Sequence, residues 1–328
     1  MASIRSLFCL AAAVLPITLA ACGDDGGGTV IPEGAHYQYV SKKAFVPTNN
    51  NQAREFGLDL NNDKTVDNQL GMVLGTLSSM GFDIQGTIDA AVAEGSIILL
   101  IDFQTKDFTN TTAAGLEVLL GDTPNPPACM ANEKYCNTAM PPVCTGCQDH
   151  LQGNATFTIK GAQNAAVGGK IVNGTFNGGP GDLTLQIALG GTTAIDLDLI
   201  GARAKASGIS ADKIDSVILG GALTQEDLNT KVIPAIQTQI APIITRDCPM
   251  PTMPPGCGCM ANSTGKTVLD LFDGGITGTT KDCMVSVDEI KGNSLIQSLL
   301  APDVTVNGKM ALSLGIKVEA TKAMFPMQ

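Results

Sequence analysis

Apolar side chains recur at every second position through much of the middle of the chain. Residues 155–160 set Phe157 and Ile159 against Thr156, Thr158 and Lys160. Residues 182–189 set Leu183, Leu185, Ile187 and Leu189 against Thr184 and Gln186, before a turn at Gly190 and Gly191. A period of two sends alternate side chains to opposite faces, so each segment reads as a strand with one buried face. The next strand starts with Ile195, Leu197 and Leu199 inward and Asp196 and Asp198 outward. Beyond Gly201 the phase reverses, with Arg203 and Lys205 on the formerly apolar face, and a bulge at Gly201 accounts for the reversal. Residues 213–219 continue the meander, and 304–306 with 310–318 predict a hairpin over Asn307-Gly308, the favoured pair for a type I′ turn.

Elsewhere the period lengthens. Over 68–80, Leu70, Val73, Leu74 and Leu77 share one helical face, and 84–93 predicts a second short helix. Residues 96–103 form a buried strand by length and branching, and 115–120 follow across a polar turn at 109–112. Thr224 caps a further helix, with Asp227 three residues on and Leu228, Val232, Ile236 and Ile240 on one side; Pro234 and Pro242 kink or end it. A last helix spans 287–300 and stops at Ala301 and Pro302. The fold class is therefore α+β and β-rich, with antiparallel sheet and a few packed helices.

Two stretches break the pattern. Residues 123–149 and 247–265 are rich in proline and cysteine and carry no apolar period. Loops of this length need staples. Eight cysteines stand ready for this: Cys129, Cys136, Cys144, Cys147, Cys248, Cys257, Cys259 and Cys283. In an exported chain an even number reads as disulfides, and the simplest arrangement cross-links the two loops. Cys257 and Cys259 are too close to pair comfortably with each other.

Export is written at the N-terminus. Arg5 precedes an apolar run over 7–19 that ends Leu19-Ala20-Ala21-Cys22-Gly23. This resembles the lipobox of bacterial lipoproteins, in which residues 1–21 are removed as a signal peptide. Cys22 then carries a thioether-linked diacylglycerol and a further acyl chain such as palmitate. The resemblance implies attachment to a membrane through the lipid, and Gly23 in place of an aspartate favours the outer membrane. The glycine-rich run after Cys22 reads as a flexible tether over 22–51, with one short strand around 37–40, leading to a single ectodomain over 52–328.

Charge narrows the partners. The full chain has 20 basic and 31 acidic residues, and loss of Arg5 with the leader leaves a net of −12. A nucleic-acid partner needs basic patches, and docking on anionic lipid needs the same. Tryptophan is absent, which leaves little for stacking on bases or sugars.

The densest oxygen cluster is Asp59, Asn61, Asp63, Thr65 and Asp67. It resembles an EF-hand or dockerin-type calcium loop, as found on uncharacterised bacterial lipoproteins with aspartate-rich loops. Lys64 stands at the glycine position and Leu70 at the position of the bidentate glutamate. The competing reading is a polar turn with Asp67 as a helix N-cap. A weaker second loop holds Asp282, Ser286 and Glu289, but Ser286 and Glu289 also have the spacing of a capping box, which is the preferred reading.

Cys144 and Cys147, with Met130, Met140, Met250, Met253 and Met260, make a soft-metal (copper) handling protein one alternative, provided the thiols stay reduced. An exported hydrolase with an acidic active site is another. His36, in the tether, and His150, in the cysteine loop, are the only histidines, and no catalytic motif surrounds either. Acid pairs such as Asp196 and Asp198 read as solvated surface. The sequence reading is a non-catalytic envelope lipoprotein with a binding or structural role, ordered by calcium.

Overall fold

A computed structural model describes residues 30–79, 81–128, 148–161, 166–187, 194–249, 257–274 and 281–326. Strand β1 (Ala35–Phe45) is followed by helices α1 (Asn50–Glu55), α2 (Gln69–Ser79) and α3 (Ile84–Ala93). Six more strands come next: β2 (Leu99–Thr105), β3 (Thr111–Asn125), β4 (Thr156–Lys160), β5 (Val167–Val172), β6 (Thr175–Ile187) and β7 (Ile195–Ile209). Then follow β8 (Lys213–Leu223) and a continuous helical run of α4 (Gln225–Asp227), a π turn and α5 (Ile233–Asp247). Helices α6 (Thr264–Phe272), α7 (Val287–Gly292) and α8 (Ser294–Leu299) lead to β9 (Val304–Val306) and β10 (Lys309–Lys322).

The antiparallel strands pair in the order β1-β2-β3-β5-β6-β7-β8-β10, and β10 returns to β1. The sheet is thus a closed eight-stranded barrel, with β4 added to β3 and β9 to β10. Closure was not legible in the alternation, which reports which face is buried and not whether the first strand meets the last. The inward face is apolar: Ile101, Phe103, Leu116, Phe176, Leu197, Leu199, Val217, Leu219, Leu314 and Ile316 are all buried in one cluster. Phe103 and Phe176 meet edge to face at 5.2 Å. Asp196, Asp198, Arg203, Lys205, Lys317 and Glu319 occupy the alternate, outward positions of β7 and β10. On these two strands the outward charges differ from the apolar outward band of a membrane-spanning barrel.

Helices α2, α3 and α5 to α8 cap one end. Leu70, Leu74, Ile88, Ile236, Ile240, Phe272 and Ile296 join the barrel interior in the same cluster. Barrel and cap therefore share one core.

Local chemistry follows the sequence closely in several places. Gly201 has φ +58° and the β7–β8 register shifts between Ile200 and Arg203, so the bulge is there. A Cβ at Gly201 would lie 2.1 Å from Val306 Cγ1, so the position excludes larger residues. Asn307 and Gly308, with φ of 51° and 74°, turn β9 into β10. Thr224 accepts a hydrogen bond from Asp227 N and caps α4. The turn expected at Gly190 and Gly191 lies outside the described residues.

Other expectations need correction. From residue 35 to residue 45 the chain is not a tether with a four-residue strand: β1 runs for eleven residues, pairs with both β2 and β10, and is followed by α1. Ser41, Lys42 and Lys43 hide it by breaking the apolar alternation, and a register shift lies between Ser41 and Lys43. The helix expected over 287–300 is two helices, because Asn293 leaves helical geometry (ψ 122°) and caps α8 through Leu295 N and Ile296 N. Pro242 lies inside α5 without ending it.

Candidate functional site

The aspartate-rich loop folds back on its own backbone. Asp59 accepts from Asp63 N and Lys64 N, Asn61 Oδ1 from Asp63 N, and Asp63 Oδ1 from Thr65 N. Lys64 takes φ +69° at the position where calcium loops carry glycine. Asp67 turns inward and accepts from Leu60 N at 2.8 Å. Burial pushes the Asp67 carboxyl up against that bond, and the charges of Asp63, Asp303 and Asp59 push it further. Asp67 is not the helix cap. That role belongs to Asn68, whose Oδ1 accepts from Gly71 N at the start of α2.

The second loop is a capping box. Ser286 accepts from Glu289 N, and Glu289 Oε2 accepts from Ser286 N and its hydroxyl. Glu289 Oε1 takes Gly274 N and Asp282 Oδ1 takes Met284 N. Burial opposes ionisation of Glu289, but the bonds from Ser286 and Gly274 more than offset it and hold the carboxyl below its usual range. These oxygens are committed to structure.

Cys248 pairs with Cys259 and Cys257 with Cys283. The expected cross-link between the two cysteine-rich loops is therefore not formed by these four, which pair among themselves. The spacing rule that kept Cys257 from Cys259 holds. Cys129, Cys136, Cys144 and Cys147 lie outside the described residues, as do Cys22, Met130, Met140, Met250 and Met253. Asp273 lies beside the Cys257–Cys283 bridge, but both its oxygens accept backbone N–H groups, from Asp282 and Cys283. With the sulfurs bonded to each other this group is a staple, and these four cysteines offer no thiolate to a soft metal.

Two features were not foreseen. The first is a cleft of about 970 Å³ at the capped end of the barrel. It arises from how the wall is built. Strand β3 pairs with β5 only as far as Leu116 and with β4 from Leu120 onward. Strand β6 pairs with β5 only up to Gly178, so over Leu183–Ile187 its described partner is β7 alone. The wall splits between β4 and this part of β6, and α5 passes over the gap. Val118, Leu120, Ile195, Pro234 and Ala235 supply apolar lining, and Lys160, Asp196, Asp198, Thr230, Lys231 and Thr238 the polar rim. Asp198 accepts from Lys231 and Thr184, both at 2.9 Å, and the lysine holds its carboxyl below the usual range. Asp196 accepts from Gln186 Nε2. The pair read from sequence as solvated surface thus stands at the rim of a cavity of ligand size.

The second lies on the outer wall. His36 sits on β1, not in a tether, and its Nδ1 is 2.6 Å from Asp102 Oδ2 on β2. Asp102 stands directly opposite Glu117 of β3. Burial pushes Asp102 up, only partly countered by His36. Burial, then the neighbouring Asp102 charge, pushes Glu117 up to about 7, with His36 opposing. His150 is elsewhere, fully buried edge-on to Phe157, and burial lowers its pKa. No sequence pattern links His36, Asp102 and Glu117, which come from three strands; only the registers of β1–β2 and β2–β3 bring them together.

Comparison with known protein families, with curated proteins and with solved structures returns no match, so the functional reading rests on the chain's own geometry.

Proposed function

We propose that the protein is a cell-envelope lipoprotein, held to the outer membrane by lipid on Cys22, that binds a partly apolar small molecule in the cleft beside α5. The observation that carries the binding role is the split in the barrel wall: a cavity of about 970 Å³ with an apolar floor and a polar rim. Ligand sites of this volume bury most of a small molecule and use a few polar groups to orient it. The lipobox supports the anchor, and the outward placement of charge supports a barrel that faces water.

The chain has no tryptophan, so a single introduced indole reports the cleft directly. Thr238 is exposed at the rim on α5. The fluorophore anilinonaphthalene sulfonate is expected to bind the native protein with a blue-shifted emission, and Thr238→Trp to weaken that binding about tenfold by filling the mouth, at an unchanged melting midpoint. Equal affinity in the two proteins would remove the cleft as the site.

A calcium ion at Asp59, Asn61, Asp63, Thr65 and Asp67 is the second part of the proposal. It is supported by the inward-turned oxygens and by the mutual repulsion felt at Asp67. An ion that binds the folded form alone raises stability by mass action. The melting midpoint is expected to rise by several degrees between chelator and about 5 mM calcium, consistent with the weak affinities of extracellular sites. Identical midpoints would discard the ion.

The hydrolase alternative gains nothing from these sites. A glycosidase needs one carboxyl kept protonated as acid beside an ionised partner. Asp198 in the cleft is held ionised by Lys231, and the carboxyl that is pushed up to about 7, Glu117, stands on the outer wall.

A further inference from the structure

We propose that Asp102 and Glu117 form a divalent-cation site on the outer wall of the barrel, with His36 as the residue that positions the Asp102 carboxylate. This site is separate from the aspartate-rich loop and independent of the cleft.

The geometry begins with the registers. Asp102 faces Gln38 across the β1–β2 ladder and Glu117 across the β2–β3 ladder, and His36 lies two residues before Gln38 on the same face. Directly opposed side chains in an antiparallel pair have Cβ atoms about 5 Å apart, within the span two carboxylates cover around one ion. Asp102 is only 4% exposed. Its Oδ2 is taken by His36 Nδ1, while its Oδ1 is buried with no hydrogen-bond partner. Strands β1 and β3 flank β2 on opposite sides, so His36 and Glu117 lie to either side of Asp102.

A buried carboxylate oxygen without a partner is a costly feature. The usual remedy, a lysine or arginine, is missing: among the described residues no such group pairs with either carboxylate; His36 acts on both, and the Asp102 charge acts on Glu117. The same outer face carries Val40, Leu100 and Leu119, which sharpen the field by excluding water. A divalent cation at Oδ1 supplies the missing partner and cancels the repulsion. Two carboxylates select a hard ion such as calcium or manganese. His36 then acts as such partners do in metal sites, fixing the ligand's second oxygen. Its side chain is 43% exposed and Glu117 is half-buried, so the outer side of the ion keeps water ligands.

The test uses the imidazole signals of the full chain, because it has two histidines and His150 lies buried at Phe157. Manganese is added in steps to about 1 mM, the range of extracellular oxygen sites. The His36 resonance is expected to broaden before that of His150, and excess calcium to restore it. Glu117→Gln, at a half-exposed position that tolerates an amide, is expected to weaken this response at least tenfold. The double variant Asp59→Asn with Asp63→Asn is expected to leave it unchanged. Persistence of the broadening in Glu117→Gln, its loss in the double variant, or a His36 signal indifferent to manganese would each overturn the proposal.

Discussion

Replacing Asn68 with alanine is expected to destabilise the protein by about 4 kcal/mol, a large effect for one small polar side chain. Asn68 is 4% exposed and uses every hydrogen-bonding position it has. Its Nδ2 donates to Ala53 O at 2.9 Å and to Gly315 O at 3.0 Å. Its Oδ1 accepts from Gly71 N at 3.0 Å and from Gly315 N at 2.8 Å. The pairing of β10 with β1 stops at Lys317, and beyond it the Asn68 amide stands in for the missing strand at Gly315. One side chain therefore ties α1, α2 and the barrel together. Alanine would leave these backbone groups without partners in a place that water reaches poorly, at about 1–3 kcal/mol for each group that stays unsatisfied. Gly315 cannot adapt by accepting a side chain, since a Cβ there would meet Phe56 O at 2.2 Å. Denaturant unfolding of Asn68→Ala against the native protein measures the loss; a change below about 1 kcal/mol would show that the bridge is not holding the helices.

On the proposed lipid anchor, Cys22→Ser should move the protein from the membrane to the soluble fraction, or leave it as unprocessed precursor. Serine cannot form the thioether, so the acyl chains that each contribute about 0.8 kcal/mol per buried CH₂ are lost. No helix among the described residues is long and apolar enough to cross a membrane, and the outward barrel face of β7 and β10 is charged. With a net charge of −12 after loss of the leader, attraction to anionic lipid cannot compensate. Fractionation, together with incorporation of labelled palmitate, checks the expectation. Membrane association of the variant without label and at the size of the processed chain would require another attachment and would overturn the lipid-anchor reading.

The cleft and the outer-wall carboxylates were illegible in the sequence for one reason. Asp196 and Asp198 announced an outward face, and Asp102 sat inside an apolar run, but neither pattern says which strand lies alongside. The split beside β6 exists because β5 is shorter than its neighbours and β4 joins β3 on its own. The His36–Asp102 contact spans 66 residues and depends on β1, a strand whose lysines disguised it as linker. Likewise, one residue separated the expected cap at Asp67 from the working one at Asn68, because the Asp67 carboxylate accepts from Leu60 N instead.

What the sequence determined by itself was local. Alternation of Leu183, Leu185 and Ile187 set a buried face, Gly201 marked the bulge, Asn307-Gly308 the turn, and Ser286 with Glu289 the capping box. Each depends on atoms within a few residues, so a linear pattern can report it. Tertiary structure alone decided the closing of β10 on β1, the pairing of Cys248 with Cys259 and Cys257 with Cys283, and the meeting of His36, Asp102 and Glu117. Those outcomes follow from strand register and barrel closure, where the gain in buried apolar surface is shared by the whole core and no single segment carries its signature.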